Sequence, residues 1–162
     1  YLLIGNHEQR WESFLWENPE LYGLRALTLE NVLELKKLGL TLLDEVSVGK
    51  IAFRHGDFVS KHSAYSARAH LENTGYQKSL CIGHVHRIGL HCKTTTAGVV
   101  MAFEAGGLFD IQQADYMKGT VNWQNGLVLV NVISGTPFPE IIPFYGSGRY
   151  MRAYWRDKEY LP

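Results

Sequence analysis

No stretch of this sequence approaches the roughly 20 consecutive apolar residues that a membrane-spanning helix requires. No signal-peptide pattern opens it either. Charge of one sign is not in excess: 16 Lys and Arg stand against 16 Asp and Glu, so no overall field draws the chain to nucleic acid or a membrane surface. Binding a polyanion would therefore need a local patch or a metal. Cysteine is scarce. Cys81 and Cys92 both fall in apolar, strand-like runs, which reads as two reduced core residues of a cytoplasmic protein rather than a disulfide. Internal repeats and low-complexity tracts are also absent, which sets aside repeat arrays. What remains is 162 residues, 46% apolar and 20% charged, the size and balance of one globular domain with a real core.

Strand-like and helix-like segments alternate, which predicts a layered α/β arrangement. YLLI (1–4) reads as a strand emptying into a loop, GNHEQRW. TLENVLELKKL (28–38) predicts a helix capped by Thr28, with Leu29, Val32, Leu33, Leu35 and Leu38 near helical spacing and Gly39 as its stop. Strands are expected at about 40–46 and 50–54, then a helix over 64–73 with Ser63 as cap and Gly75 as stop. SLCI (79–82) is another strand, followed by β-rich stretches near 88–93, 98–104, 127–133 and 139–144 with Gly, Asn and Pro in their turns. The division expected is 1–145 as the main domain and 146–162 as an aromatic and basic tail packed on it. A chain that starts with Tyr1 rather than Met, inside a core-like strand, reads as the later part of a longer protein.

Three of these strands run into glycine-bearing loops that also hold histidine: IGNHE (4–8), FRHGD (53–57) and IGHVH (82–86). In α/β sheets ligands bind beyond the carboxyl ends of strands, where such loops converge. On an extended stretch, His84 and His86 would project to one side roughly 6–7 Å apart. That separation suits two ions about 3.5–4 Å apart, with one imidazole on each. A lone histidine after a strand is more often a satisfied polar residue; three such loops in this order carry far more weight.

G-N-H-E, H-G-D and G-H-V-H, each after a strand, resemble the later signature blocks of the calcineurin-like metallophosphoesterases, over about residues 1–104. The resemblance implies a layered β-sandwich flanked by helices, with a two-metal centre at one sheet edge that hydrolyses phosphomonoesters or phosphodiesters. It further implies that Asn6, His55 and His84 hold the second metal and His86 the first. His7 would face the scissile phosphate, stabilising its charge or protonating the leaving oxygen, and Glu8 would hold the loop. Asp57 and Arg87 fall to supporting or substrate-facing roles, Arg87 either touching a phosphate oxygen or capping its loop. Imidazole and amide oxygen suit two divalent ions of the Mn, Fe, Zn or Ni type, which would acidify a water to attack phosphorus.

The family's earlier blocks, D-x-H and GD-x-x-D, are not in this sequence, and Asp57 and Asp110 sit in the wrong order and context to replace them. Truncation of an N-terminal segment is the expected reason, and the isolated chain is expected to be weakly active or inactive. The alternative is a natural half-domain that borrows ligands from a partner or has lost activity, a non-catalytic remnant of the fold with partial metal binding. Candidate substrates include nucleotides and nucleic acid. Lys61 and His62 could approach a phosphate or be a solvated loop; Trp123 could pack a hairpin or stack a base. The tail's Arg149, Arg152, Arg156 and Lys158 alternate with Tyr150, Tyr154 and Trp155, a mix that binds single strands or folds back on the domain. No membrane partner is expected, and oligomeric state is left open.

Overall fold

The computed structural model describes residues 1–114 and 121–161. Its elements in chain order are β1 (Leu2–Leu3), α1 (Asn6–Glu17), α2 (Leu29–Val32), β2 (Leu42–Leu43), β3 (Glu45–Val48), β4 (Ile51–Arg54) and α3 (Tyr65–Asn73). There follow β5 (Ser79–Ile82), β6 (Ile88–Thr95), β7 (Gly98–Ala105), β8 (Gly126–Ile133), β9 (Thr136–Tyr145), β10 (Arg152–Trp155) and β11 (Lys158–Tyr160). This is a mixed α/β fold with several β-sheets packed against helices.

A five-stranded sheet runs in the order β3-β4-β5-β7-β6, with β4, β5 and β7 parallel and the two outer strands antiparallel. Strand periodicity of two splits its side chains between two faces. Ile51, Cys81 and Phe103 turn toward β8 and β9, where Val128, Val130, Val132 and Ile141 meet them. Ala52, Leu80, Ile82 and Ala102 turn the other way, onto Ala67 and Leu71 of α3. Alanines on both surfaces let the helix sit close to the sheet. Phe103, Ile51 and Leu71 are fully buried, each contributing about 1.5–3 kcal/mol by area. The second large sheet is antiparallel, β11-β10-β9-β8, and β1 and β2 form a separate parallel pair.

Several expectations change. GNHEQRW is not a loop: Asn6 opens the twelve-residue helix α1. That helix is tied down by the Trp11 indole N–H, which donates to the Leu27 carbonyl at 2.8 Å. The helix expected over 28–38 stops at Val32, because Glu34 adopts left-handed backbone (φ 50) and breaks the i to i−4 ladder. Burial of Leu35 in an irregular turn outweighs the helical spacing of the leucines. Cys81 is buried but Cys92 is exposed on β6, so only one of the two belongs to the core; both are free thiols. Burial pushes the Cys81 thiol up to about 12, far from a reactive thiolate.

Ser63 does not cap α3. The cap position is Ala64, itself left-handed (φ 66), and the Glu104 carboxylate of β7 takes the orphan N–H groups instead. The tail becomes a β10–β11 hairpin extending the sheet from β9, with Pro162 outside the described residues. Three of its cations are engaged locally: Arg149 lies over Tyr150, Arg156 over Trp155, and Arg152 pairs with Glu159 at 3.3 Å. No helix of the described residues is long and apolar enough to cross a membrane.

Candidate metal centre

Parallel pairing of β4 with β5 places Arg54 opposite Ile82, so the loops that follow leave the sheet side by side. His55 comes directly after β4, and His84 follows β5 after Gly83. Their rings meet edge to face with centroids 4.9 Å apart. The first residue of α1 completes the group: His55 Nε2 lies 3.0 Å from both Asn6 Oδ1 and His84 Nδ1. Gly5 makes this approach possible. A Cβ there would sit 2.6 Å from His55 ring atoms, although the Gly5 backbone itself is ordinary (φ −121), so space and not conformation demands glycine. The Glu8 carboxylate accepts from the Gly5 N–H at 2.8 Å and fixes the entry to α1.

Three electron-pair donors therefore converge. Nε2 of an imidazole offers one hydrogen or one lone pair, yet it faces two acceptor-capable atoms at the same distance. One linear hydrogen bond cannot serve both. Ligand atoms about 2.0–2.2 Å from a single ion and at right angles stand about 3 Å apart, a spacing that the two separations from His55 Nε2 match. The imidazoles also have the protonation ligation needs. Burial lowers the pKa of His55 and His84, assisted for His55 by the neighbouring His84 and for His84, against Asp57, by His7.

His86 is held apart, with no hydrogen bond to the trio. Its ring packs edge-on to Phe109 (4.7 Å) and Trp123 (4.9 Å), and its Nδ1 is buried without a hydrogen-bond partner among the described residues. Burial, and then His84, lowers its pKa as well. The extended geometry expected for this stretch is not found: His84 (φ 61) and His86 (φ 53) both take left-handed backbone, around a tight turn in which Val85 N–H donates to Gly83 O at 2.7 Å. The two histidines reach different surroundings because the chain turns, not because alternate residues share a strand face.

Two clefts flank the trio and share Asn6 and His84. One, of about 310 Å³, is lined by Gln9, Asp44, Arg54 and Asp57 as well. The other, of about 610 Å³, adds His7, Arg10, His86 and Trp123. His7 is exposed on the second. Asp57 stands on the first with a solvent-exposed carboxylate 3.4 Å from His70 Nε2. Arg87 faces inward, donating to the carbonyls of Ser60 and Lys61 at 2.7 and 3.1 Å, so it braces a loop. His62 packs on Tyr65, Lys61 lines neither cleft, and Asp110 caps a short turn through Gln112 N–H.

Among the described residues, no group of three or more His, Cys, Asp or Glu side chains is placed to hold a metal ion. The trio is two imidazoles and an amide oxygen, all neutral.

Two residues escaped the sequence reading. His70, buried on α3, has Nδ1 3.2 Å from Arg54 Nη2 and Nε2 3.4 Å from the N–H groups of Asp57 and Phe58, which steadies the loop carrying His55. Its place beside Ala67 and Leu71 on the inner helix face was the available signal. Glu104 could have been found as a lone carboxylate inside an apolar strand, VVMAFEA.

Acid should destabilise the fold. His55, His70, His84 and His86 all have folded-state pKa values below 6.5, with burial the largest cause. Just below pH 6.5 the unfolded chain takes up protons that the folded chain refuses, so their contribution is complete above 6.5 and fades on acidification. Calorimetric melting midpoints should fall steadily as pH drops below 6.5. A flat profile there would contradict the burial of these rings.

Comparison with protein-family models, with curated proteins and with solved structures finds no match for this chain.

Proposed function

We propose that this chain carries part of a metal-dependent phosphoesterase site of the calcineurin-like kind, in the corresponding layered fold. The observation that carries the reading is the convergence of Asn6 Oδ1, His55 Nε2 and His84 Nδ1 from three separate strand ends. These three would hold one divalent ion of the Mn, Fe, Zn or Ni type, and His86, with its unpartnered buried nitrogen, would serve a second. Bound there, the ions would supply Lewis acidity toward water and the phosphoryl oxygens. The chain's own residues do the rest. Glu8 and Gly5 fix the position of Asn6, while the loop braces of His70 and Arg87 keep His55 in register. His7, on the wall of the larger cleft, stabilises charge on the phosphate or passes a proton to the leaving oxygen.

A second reading is a remnant that binds one ion weakly and has no turnover. The all-neutral trio favours it, since carboxylates are what normally hold such ions in the presence of water.

Calorimetric titration with Mn²⁺ tests the proposal. Mn²⁺ should bind the chain, and His84→Ala should weaken binding by at least about tenfold. Equal binding by both proteins would sink the metal centre. Binding without any hydrolysis of bis(p-nitrophenyl) phosphate, even with added carboxylate-bearing segments of the family type, would favour the remnant.

A further inference from the structure

We infer that a third cleft, between α1, α2 and the turn that joins them, binds a small organic cation carrying a quaternary ammonium. Trp16 and Tyr22 would be its aromatic walls, and Glu12 and Glu30 its counter-charges. The site needs neither the metal trio nor a phosphate.

Helical spacing sets Trp11 and Leu15 one turn apart on α1, and Glu12 and Trp16 likewise. All four line a cleft of about 500 Å³, which Tyr22, Leu29 and Glu30 close from the returning chain. Leu29 is buried, and the Trp11 indole N–H is already engaged with the Leu27 carbonyl at 2.8 Å. Asn18 turns the chain back after α1. Its side-chain amide donates to the Phe14 carbonyl at 2.7 Å, and its own carbonyl accepts from the Leu21 and Tyr22 N–H groups at 2.9 and 3.3 Å. Tyr22 thereby lies against Trp16, with ring centroids 5.3 Å apart and the planes tilted by 57°. Rings so tilted make a corner, not a flat stack. Trp16 is 71% exposed and Tyr22 58%, so a ligand reaches that corner from solvent.

Charge favours a cation there. Among the described residues that line the cleft, the charged side chains are both carboxylates, Glu12 and Glu30. An adjoining hollow shares Glu12 and Trp16 and adds Glu17. Residues 11–30 hold four Glu and one Arg, on a chain whose formal net charge is zero. The local field therefore draws cations to this end of the molecule.

Chemistry narrows the class further. Aromatic faces attract cations through the ring quadrupole, tryptophan most strongly. The leucine side chains beside them offer no acceptor, so a primary ammonium or a guanidinium would lose water from N–H groups that these walls cannot satisfy. A quaternary ammonium has no N–H, and its methyl groups pack on rings and leucines alike. The volume is in the range of small-molecule sites.

Titration with choline and with 3,3-dimethylbutan-1-ol, in which carbon replaces the charged nitrogen, tests this by nuclear magnetic resonance. Choline should bind about tenfold tighter or more than its neutral isostere. It should move the indole N–H signals of Trp11 and Trp16 and leave those of Trp123 and Trp155 in place. Trp16→Leu should shrink the gap to about threefold or less. Glu12→Gln, a change at an exposed position, should weaken choline by about two- to fivefold and leave the neutral alcohol unaffected. Melting midpoints would show that both variants are folded, and if Trp16→Leu is not, Glu12→Gln decides. Equal affinity of the two probes would overturn the proposal, as would choline that moves none of the indole signals or all four alike. So would a gap that neither substitution reduces. A hexa-arginine peptide that moves the Trp11 and Trp16 signals at lower concentration than choline would also overturn it, by making this a surface for polycations.

Discussion

Glu104→Ala is expected to cost about 3–5 kcal/mol of folding stability, the usual range for removing one partner of a buried charged pair. Glu104 is wholly inaccessible to solvent, and its carboxylate accepts from three backbone N–H groups at the start of α3: Ala64 at 2.9 Å, Ser66 at 3.1 Å and Ala67 at 3.3 Å. The Arg87 Nε lies 3.9 Å away and is itself buried. Alanine would strand all of these at once, in a place water does not reach. It would also release Ala64, whose left-handed backbone ends the loop that begins at His55. Glutamine should lose less, since one oxygen remains to accept, although its amide then turns N–H groups toward donors. Urea unfolding would measure both. If Arg87→Met is made in the same background, the combined loss should be smaller than the sum of the two. A Glu104→Ala loss below about 1 kcal/mol would mean that the cluster does not hold the helix to the sheet.

With the carboxylate-bearing segments of the family type added to restore turnover, His7→Ala is expected to lower Mn²⁺-dependent hydrolysis of an unactivated phosphate ester by about 10²–10⁴-fold, the range of a lost general acid. Mn²⁺ affinity should stay the same, because the trio of Asn6, His55 and His84 does not include this side chain. The choice of ester separates the two roles. A group that protonates the leaving oxygen matters little when that oxygen leaves readily, so the nitrophenyl ester should suffer much less. A group that stabilises charge on the phosphoryl oxygens should affect both esters alike. Loss of Mn²⁺ affinity in His7→Ala would mean that His7 is a ligand and that its place in the site has been misassigned.

Much of the layered core was legible because periodicity and burial agreed there. SLCI is β5 as read, and AYSARAHLEN is α3 within one residue, since its inner face of Ala67, His70 and Leu71 meets a sheet of alternating apolar residues. The helix α1 was hidden by its own motif: GNHE was taken as a strand-end loop, although Trp11 and Leu15 that follow it are spaced as a helix face. The leucines of 33–40 misled in the opposite direction, their spacing overridden at Glu34 by the need to bury Leu35. In the site, the meeting of His55 and His84 could be anticipated because parallel strands deliver neighbouring loops to one edge, while Asn6 joins them from the separate β1–β2 pair. The ring contacts of His86, the inward turn of Arg87 and the cap from Glu104 could not, because each depends on a partner 17 to 40 residues away that no local pattern names.

The left-handed turn at His84 and His86 sets stability against chemistry. Each such position costs an ordinary L-residue about 1–3 kcal/mol, and glycine would occupy either without that penalty. The two sites therefore lie under opposing effects: glycine would relax the turn, but it would also remove the ring contacts of His84 with His55 and of His86 with Phe109 and Trp123. The net effect of either glycine on stability is the difference between the backbone relief and the lost packing. This sequence holds both rings in the unfavourable conformation at once.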